Sequence, residues 1–225
     1  MPKLRLQSLF YSGILLLSTS IPSAAQLQFQ PLLIFNAPPT PVNGNGYDTT
    51  FEIMADDFSF PQNVTLQTAS FWMTDQNNLS GWDGTLKYYI FSDVNGKPSS
   101  VPLYQANVFN VSVKDTGKKV LQTFTENQFS FTFPTPVKLK GNTKYWLGIH
   151  LNNTYVLKNI FWETTDQAFG IPSYSAFQGN LNNWVLNYNN SNLAFKINAI
   201  PINERVVLRR QSASSSQGFL VFSTK

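Results

Sequence analysis

Six segments of the chain alternate apolar and polar residues with a period of two. In "FEIMADDF", Phe51, Ile53 and Ala55 share one parity. In "TASFWMT", Ala69, Phe71 and Met73 share one parity and Trp72 takes the other. "TLKYYIF" sends Leu86, Tyr88 and Ile90 one way, and Lys87, Tyr89 and Phe91 the other. "FSFTF" groups Phe129, Phe131 and Phe133. "KYWLGIHL" groups Tyr145, Leu147, Ile149 and Leu151. "LAFKINAI" groups Leu193, Phe195, Ile197 and Ala199, with Lys196 and Asn198 opposite. Successive side chains of a strand point to opposite faces, so this pattern predicts strands with one dry and one wet face. "PLLIF" (Pro31–Phe35) predicts a further short strand.

Turn-forming clusters separate the runs: "DQNNLSGWDG", "DVNGKPSS", "KDTGKK" and "LKGNTK". No segment carries apolar residues at helical three-and-four spacing. Many short strands joined by polar turns predict an all-β protein. The expected form is a two-sheet antiparallel β-sandwich, jelly-roll-like, with its core between the layers.

The ends of the chain break the pattern. Residues 1–25 have Lys3 and Arg5, an apolar run around Ile14–Leu17, and Ser23-Ala24-Ala25. That order predicts a signal peptide cut after Ala25. The apolar run is about nine residues, and a membrane span needs about twenty. Residues 26–200 form the expected β-sandwich domain, with a Pro/Gly/Asn-rich loop at 37–47. Residues 201–225 carry a basic cluster and a Ser/Gln run and are expected to be a poorly ordered tail. The expected location is secreted, extracellular, with no membrane span after cleavage.

Composition narrows the chemistry. Charged residues make up 12% of the 225 residues, and there is no cysteine. Disulfides, thiol catalysis and thiolate metal sites are thereby excluded. The formal charge of +4 comes from the ends, since residues 26–200 hold ten Lys/Arg against eleven Asp/Glu. No basic stripe remains to hold a nucleic-acid backbone.

Four constellations invite a chemical reading. Asp56 and Asp57 are neighbours in a strand, so their carboxylates diverge and do not act as a pair. Asp57 has the parity of Ile53 and Ala55, which places it toward the core. It is read either as a loop cap satisfied by backbone N–H groups or as a ligand of a structural calcium. "SDVNGKP" supplies Asp93 and Asn95, either as calcium ligands or as a two-residue hairpin turn. His150, the only histidine, has the polar parity of its strand and is expected at the surface or a strand edge. Trp82 in "LSGWDG" and Trp184 in "LNNWVL" lie in turn-rich segments, where an exposed ring would stack on a sugar face. No GxSxG elbow occurs, and nothing in the spacing of the acids selects a glycosidase pair.

The run "IFNAPPTPVNGNGYDTTFEIMADDFSFP", followed by "FWM", "YYIFSDVNGKP", "KYWLGI", "IFWET" and "LAFKINAI", resembles a group of bacterial exported proteins of uncharacterised function. In them an Asn-Gly loop leads into an "ADDF" strand. The resemblance covers residues 32–199. Many of that group end in a PEP-CTERM sorting segment. "AIPINERVVLRRQ" keeps only its proline and lacks the apolar helix. The resemblance implies a sandwich fold and export, with no reaction attached. The resulting expectation is a non-catalytic adhesive or matrix module whose partners are extracellular glycans or surface proteins. The alternatives are a purely structural assembly protein and a glycan-acting hydrolase.

Overall fold

The computed structural model describes residues 31–40, 46–187 and 190–202. The expected signal peptide and residues 203–225 of the expected tail lie outside them. Fifteen strands follow in order: β1 (Leu33–Ala37), β2 (Gly46–Asp48), β3 (Glu52–Phe58), β4 (Val64–Asp75), β5 (Leu86–Val94), β6 (Lys97–Pro98), β7 (Tyr104–Val108), β8 (Ser112–Val120), β9 (Phe124–Leu139), β10 (Tyr145–Leu151), β11 (Phe161–Thr165), β12 (Tyr174–Phe177), β13 (Trp184–Leu186), β14 (Asn192–Leu193) and β15 (Phe195–Pro201). No helix occurs among the described residues.

The strands form two antiparallel sheets packed as a β-sandwich, as the alternation predicts. The eight-stranded sheet runs β1-β15-β4-β11-β14, with β9 also on β4, β8 on β9 and β2 on β11. The seven-stranded sheet runs β13-β12-β3-β10-β5-β6, with β7 also on β5. All six alternating runs are strands or lie mostly within strands. Five of their apolar parities meet in the main core: Ala69, Phe71 and Met73; Leu86, Tyr88 and Ile90; the three phenylalanines of β9; Tyr145, Leu147, Ile149 and Leu151; and the Leu193–Ala199 set. Aromatic rings dominate it. Phe71 stacks on Phe129 at 5.6 Å, and Trp162 lies 5.5 Å from Phe71 and 6.0 Å from Phe195. The Trp162 indole N–H donates to Ala194 O at 2.8 Å, so the ring is buried without an orphaned donor.

The remaining run departs from expectation. The parity of Ile53 and Ala55 faces outward from the sandwich, while Met54 and Phe58 face the main core. Asp56 therefore points into the interior and Asp57 away from it, the reverse of the expected orientation. The outer face of the seven-stranded sheet is not wet at its centre either. Ile53, Ala55, Tyr89, Phe91, Trp146 and Ala176 form a second buried cluster there. Tyr155, Ile171 and Leu181 pack against it from the connecting segments, and Trp184 from β13. Gly148 is needed beneath this layer. A Cβ at that position would stand 2.7 Å from the Phe91 ring and 3.1 Å from Tyr89 Cβ.

Turn chemistry is as read from the sequence at β5–β6. Asn95 (φ 54°) and Gly96 (φ 79°) are both left-handed, the geometry of a two-residue type I′ hairpin. Between β4 and β9 the register shifts, and Pro134 and Pro136 fall in the part of β9 that skips pairing, where a missing N–H costs nothing. Two boundaries move. Gly46–Asp48 pairs with β11 instead of belonging to the loop at 37–47. Pro201 ends β15, and the Ile202 N–H donates to Asn63 O at 2.8 Å, so the fold reaches past residue 200.

Candidate functional site

The two aspartates of β3 serve different layers. Asp56 is fully buried and accepts the Asp57 N–H at 2.8 Å and the Leu193 N–H. Leu193 belongs to β14, so this carboxyl ties one sheet to the other across the core. Burial pushes it well above the usual carboxylate range, and the neighbouring Asp57 adds to the rise. Asp57 accepts the Ile171 N–H at 2.9 Å and the Lys144 ammonium at 3.0 Å. Burial raises this carboxyl too, against the lowering by those two donors. Gly170 passes so close that a Cβ would sit 2.1 Å from Asp57 Oδ2. Asp57 thus pins the covering segment 166–173 to the outer face.

Asp57 and Asp93, weighed as calcium ligands, are both engaged by the protein. Asp93 Oδ1 accepts the Trp146 indole N–H at 3.0 Å, and Oδ2 accepts the Gly96 N–H at 3.2 Å. With Asp57 bonded to Ile171 and Lys144, all four carboxylate oxygens have protein partners. Asn95 is an exposed turn residue. Calcium wants six to eight oxygens gathered round one point. At Asp57 the Lys144 ammonium already supplies a cation. Among the described residues no group of three or more acidic or histidine side chains gathers elsewhere.

His150 is buried at 3% exposure, which corrects the expectation of a surface histidine. Its Nε2 lies 3.3 Å from Thr50 O, and its ring lies 4.1 Å from the Tyr155 ring. Burial pushes its pKa down to about 4, so it is neutral at neutral pH. It forms part of a small cavity of about 250 Å³ that also includes Tyr89, Tyr155, Asn107 and Lys87. The Lys87 ammonium sits 5.0 Å above the Tyr89 ring.

The two tryptophans singled out as platforms are both half-buried and lie on different clusters. Trp82 meets Phe129 of the main core edge-on at 5.0 Å, and its N–H donates to Thr85 O at 2.7 Å. Trp184 meets Phe91 edge-on at 5.1 Å on the outer layer, and its N–H donates to Ser99 O at 3.3 Å. The fold does not bring them together.

It does join a pair that the sequence did not suggest. Thr74 of β4 stands opposite both Glu126 of β9 and Phe161 of β11. Glu163, two residues past Phe161, therefore shares the outer face of the eight-stranded sheet with Glu126. Both are buried, at 3% and 6% exposure, and close enough for the Glu126 charge to act on Glu163. Burial first, and the Glu126 charge second, push Glu163 up to about 8. Lys118 stands 3.7 Å from Glu126. The available signal was a glutamate inside each of two strand-like runs, "FTENQF" and "FWETT".

Grooves open on the surface formed by the described residues, and three of them bear on function. The first, about 600 Å³, lies between residues 165–172 and Asn190–Asn192 and is lined by amides, hydroxyls and Asp166. The second, about 650 Å³, lies where β9 ends. The third is the His150 cavity. No known family model matches the chain, and no curated protein matches it.

Proposed function

We propose that the chain is an exported, non-catalytic β-sandwich module that binds extracellular glycans at open surface grooves. One observation carries the reading: the buried acids and the grooves are separate. Asp56, Asp57 and Asp75 hold backbone N–H groups, Asp57 and Glu126 each face a lysine, and Glu163 lies beside Glu126. None of them lines any of these three grooves, and Asp166 is the one acid that does. A glycosidase needs two carboxyls flanking an open cleft, about 5 Å or more apart. The Glu126–Glu163 pair is buried and lies outside all three grooves. The grooves offer amides, hydroxyls and phenol rings, which suit sugar hydroxyls and pyranose faces.

A second reading, assembly between copies or onto a surface, is favoured by Leu32, Ile34 and Ile200. These lie on or beside β1 and β15 with 38–53% of each residue exposed. β1 is an edge strand, and exposed apolar edges promote association. A glycan array and an unbiased hydrolase screen on the full chain separate the readings. Binding without turnover supports the module. Silence in both favours assembly. Turnover abolished by replacing a single acid would establish a hydrolase.

A further inference from the structure

The groove where β9 ends differs from the other two in its charge. Lys138 and Lys140 line it together with Tyr104, Tyr145, Leu103 and Ile202, and among the described residues no acidic side chain does. Lys138 and Lys140 share a parity and are exposed, while Leu139 between them is buried in the core. Lys144 and Lys118 each face a carboxylate, and Lys87 sits over a ring. Among the described residues neither Lys138 nor Lys140 has an acidic partner.

The rings beside these ammonium groups are held by the lysines' own backbone. The Tyr104 hydroxyl donates to Lys138 O at 3.2 Å, and the Lys140 N–H donates to the Tyr145 hydroxyl at 3.1 Å. Two phenol rings are thus tied to the backbone that carries the two lysines, around one opening with apolar Leu103 and Ile202. We infer that this groove binds an acidic saccharide, with the carboxylate of a uronic-acid residue between Lys138 and Lys140 and a pyranose face against Tyr104. The inference rests on the glycan-binding reading and adds the class of sugar to it. Charge-assisted hydrogen bonds from ammonium to carboxylate supply selection, and the ring face supplies contact area. The first groove carries Asp166, which repels a carboxylate. The His150 cavity has less than half the volume, and its one lysine is engaged.

Calorimetric titration of the full chain with hexagalacturonate, neutral cellohexaose and inorganic sulfate tests this. The uronate hexamer binds in preference to the neutral hexamer, and added salt weakens it. K138A/K140A lowers the uronate affinity about tenfold, as expected for two exposed charge pairs. Both lysines are exposed, so an unchanged melting temperature shows that the fold is intact. Tyr104→Phe keeps the affinity and Tyr104→Ala loses it. Equal binding of both hexamers, or unchanged uronate affinity in K138A/K140A, overturns the groove assignment and leaves the module reading standing. Displacement of the uronate by inorganic sulfate at equal concentration reduces the groove to an ion site and also overturns it. No binding of either hexamer overturns the groove assignment, and silence on the glycan array as well overturns the module reading.

Discussion

Two carboxyl pairs in this protein reverse what chain proximity suggests. Asp56 and Asp57 are adjacent in sequence, yet one points into the sandwich and the other away from it. Glu126 and Glu163 lie on different strands, with β4 between them, yet they meet on one sheet face. The strand pleat separates neighbours, and sheet register joins residues two strands apart. The first pair is divided between two structural tasks, clasping the sheets and pinning a covering segment. The second places two like charges together, buried on a sheet face. The difference is testable, because a clasp should respond to deletion and a buried like-charge pair should respond to pH.

The largest effect is expected at the clasp. Asp56→Ala leaves the buried N–H groups of Leu193 and Asp57 without their acceptor. An orphaned buried donor costs about 1–3 kcal/mol. The expected loss is about 3 kcal/mol in urea unfolding, or roughly 6–12 °C in Tm for a domain of this size. Glu163→Gln keeps a hydrogen-bonding group opposite Glu126 and should cost under about 1 kcal/mol. If the two substitutions cost the same, the sheets are not held together through Asp56.

Next in size is the pH response. Glu163 is raised in the folded state, to about 8 from an ordinary value of 4.5. Its proton is therefore held more tightly when folded. The stabilisation is complete below pH 4.5 and is lost as pH rises through about 8. The groups facing it are Glu126, which raises it further, and Lys118, which opposes the rise. His150 contributes with the opposite sign. Its pKa is lowered to about 4, so its contribution is present above 6.5 and is lost as pH falls towards 4. The two slopes overlap below 6.5, so the wild-type Tm profile alone mixes them. The difference between wild type and Glu163→Gln isolates the glutamate. It should fall by several degrees between pH 5 and pH 8, on the order of 1–2 kcal/mol. A flat difference would mean that burial beside Glu126 does not raise the Glu163 carboxyl.

The main core was legible because one parity of five runs is apolar and the other is mostly not. Phe129, Phe131 and Phe133 alternate with Ser130 and Thr132 and land together inside. The second buried layer was harder to see, but a trace of it was present. In "KYYIF" and "KYWLGIHL" the outer parity holds Tyr89, Phe91, Trp146 and Gly148, which are not residues of a wet face. A strand apolar on both parities signals burial on both sides. Weighing one face at a time put His150 at the surface and turned Asp57 inward. Glu126 and Glu163 were not legible as a pair, because only the register of β9, β4 and β11 aligns them. Lys138 and Lys140 flank the buried Leu139 at exposed positions, the ordinary pattern of a strand's solvated face. Their neighbour Tyr104 belongs to a separate strand, and only the fold closes that groove.

The smallest expected effect concerns the first pair again. A calcium reading of Asp57, Asp93 and Asn95 requires oxygens free to turn towards a cation. Here Lys144 already neutralises Asp57 at 3.0 Å, and the Trp146 indole and Gly96 N–H hold Asp93. For calcium to take up these four oxygens, it would have to displace an ammonium and three N–H donors, and it would gain no further carboxylate. Binding that favours the folded state raises Tm with ligand concentration. The melting temperature in millimolar calcium should therefore match that in chelator to within about 1 °C. A rise with calcium that disappears in Asp57→Asn would show that the ion displaces Lys144. The outer aspartate would then hold a cation site, and only the inner one would remain a purely structural clasp.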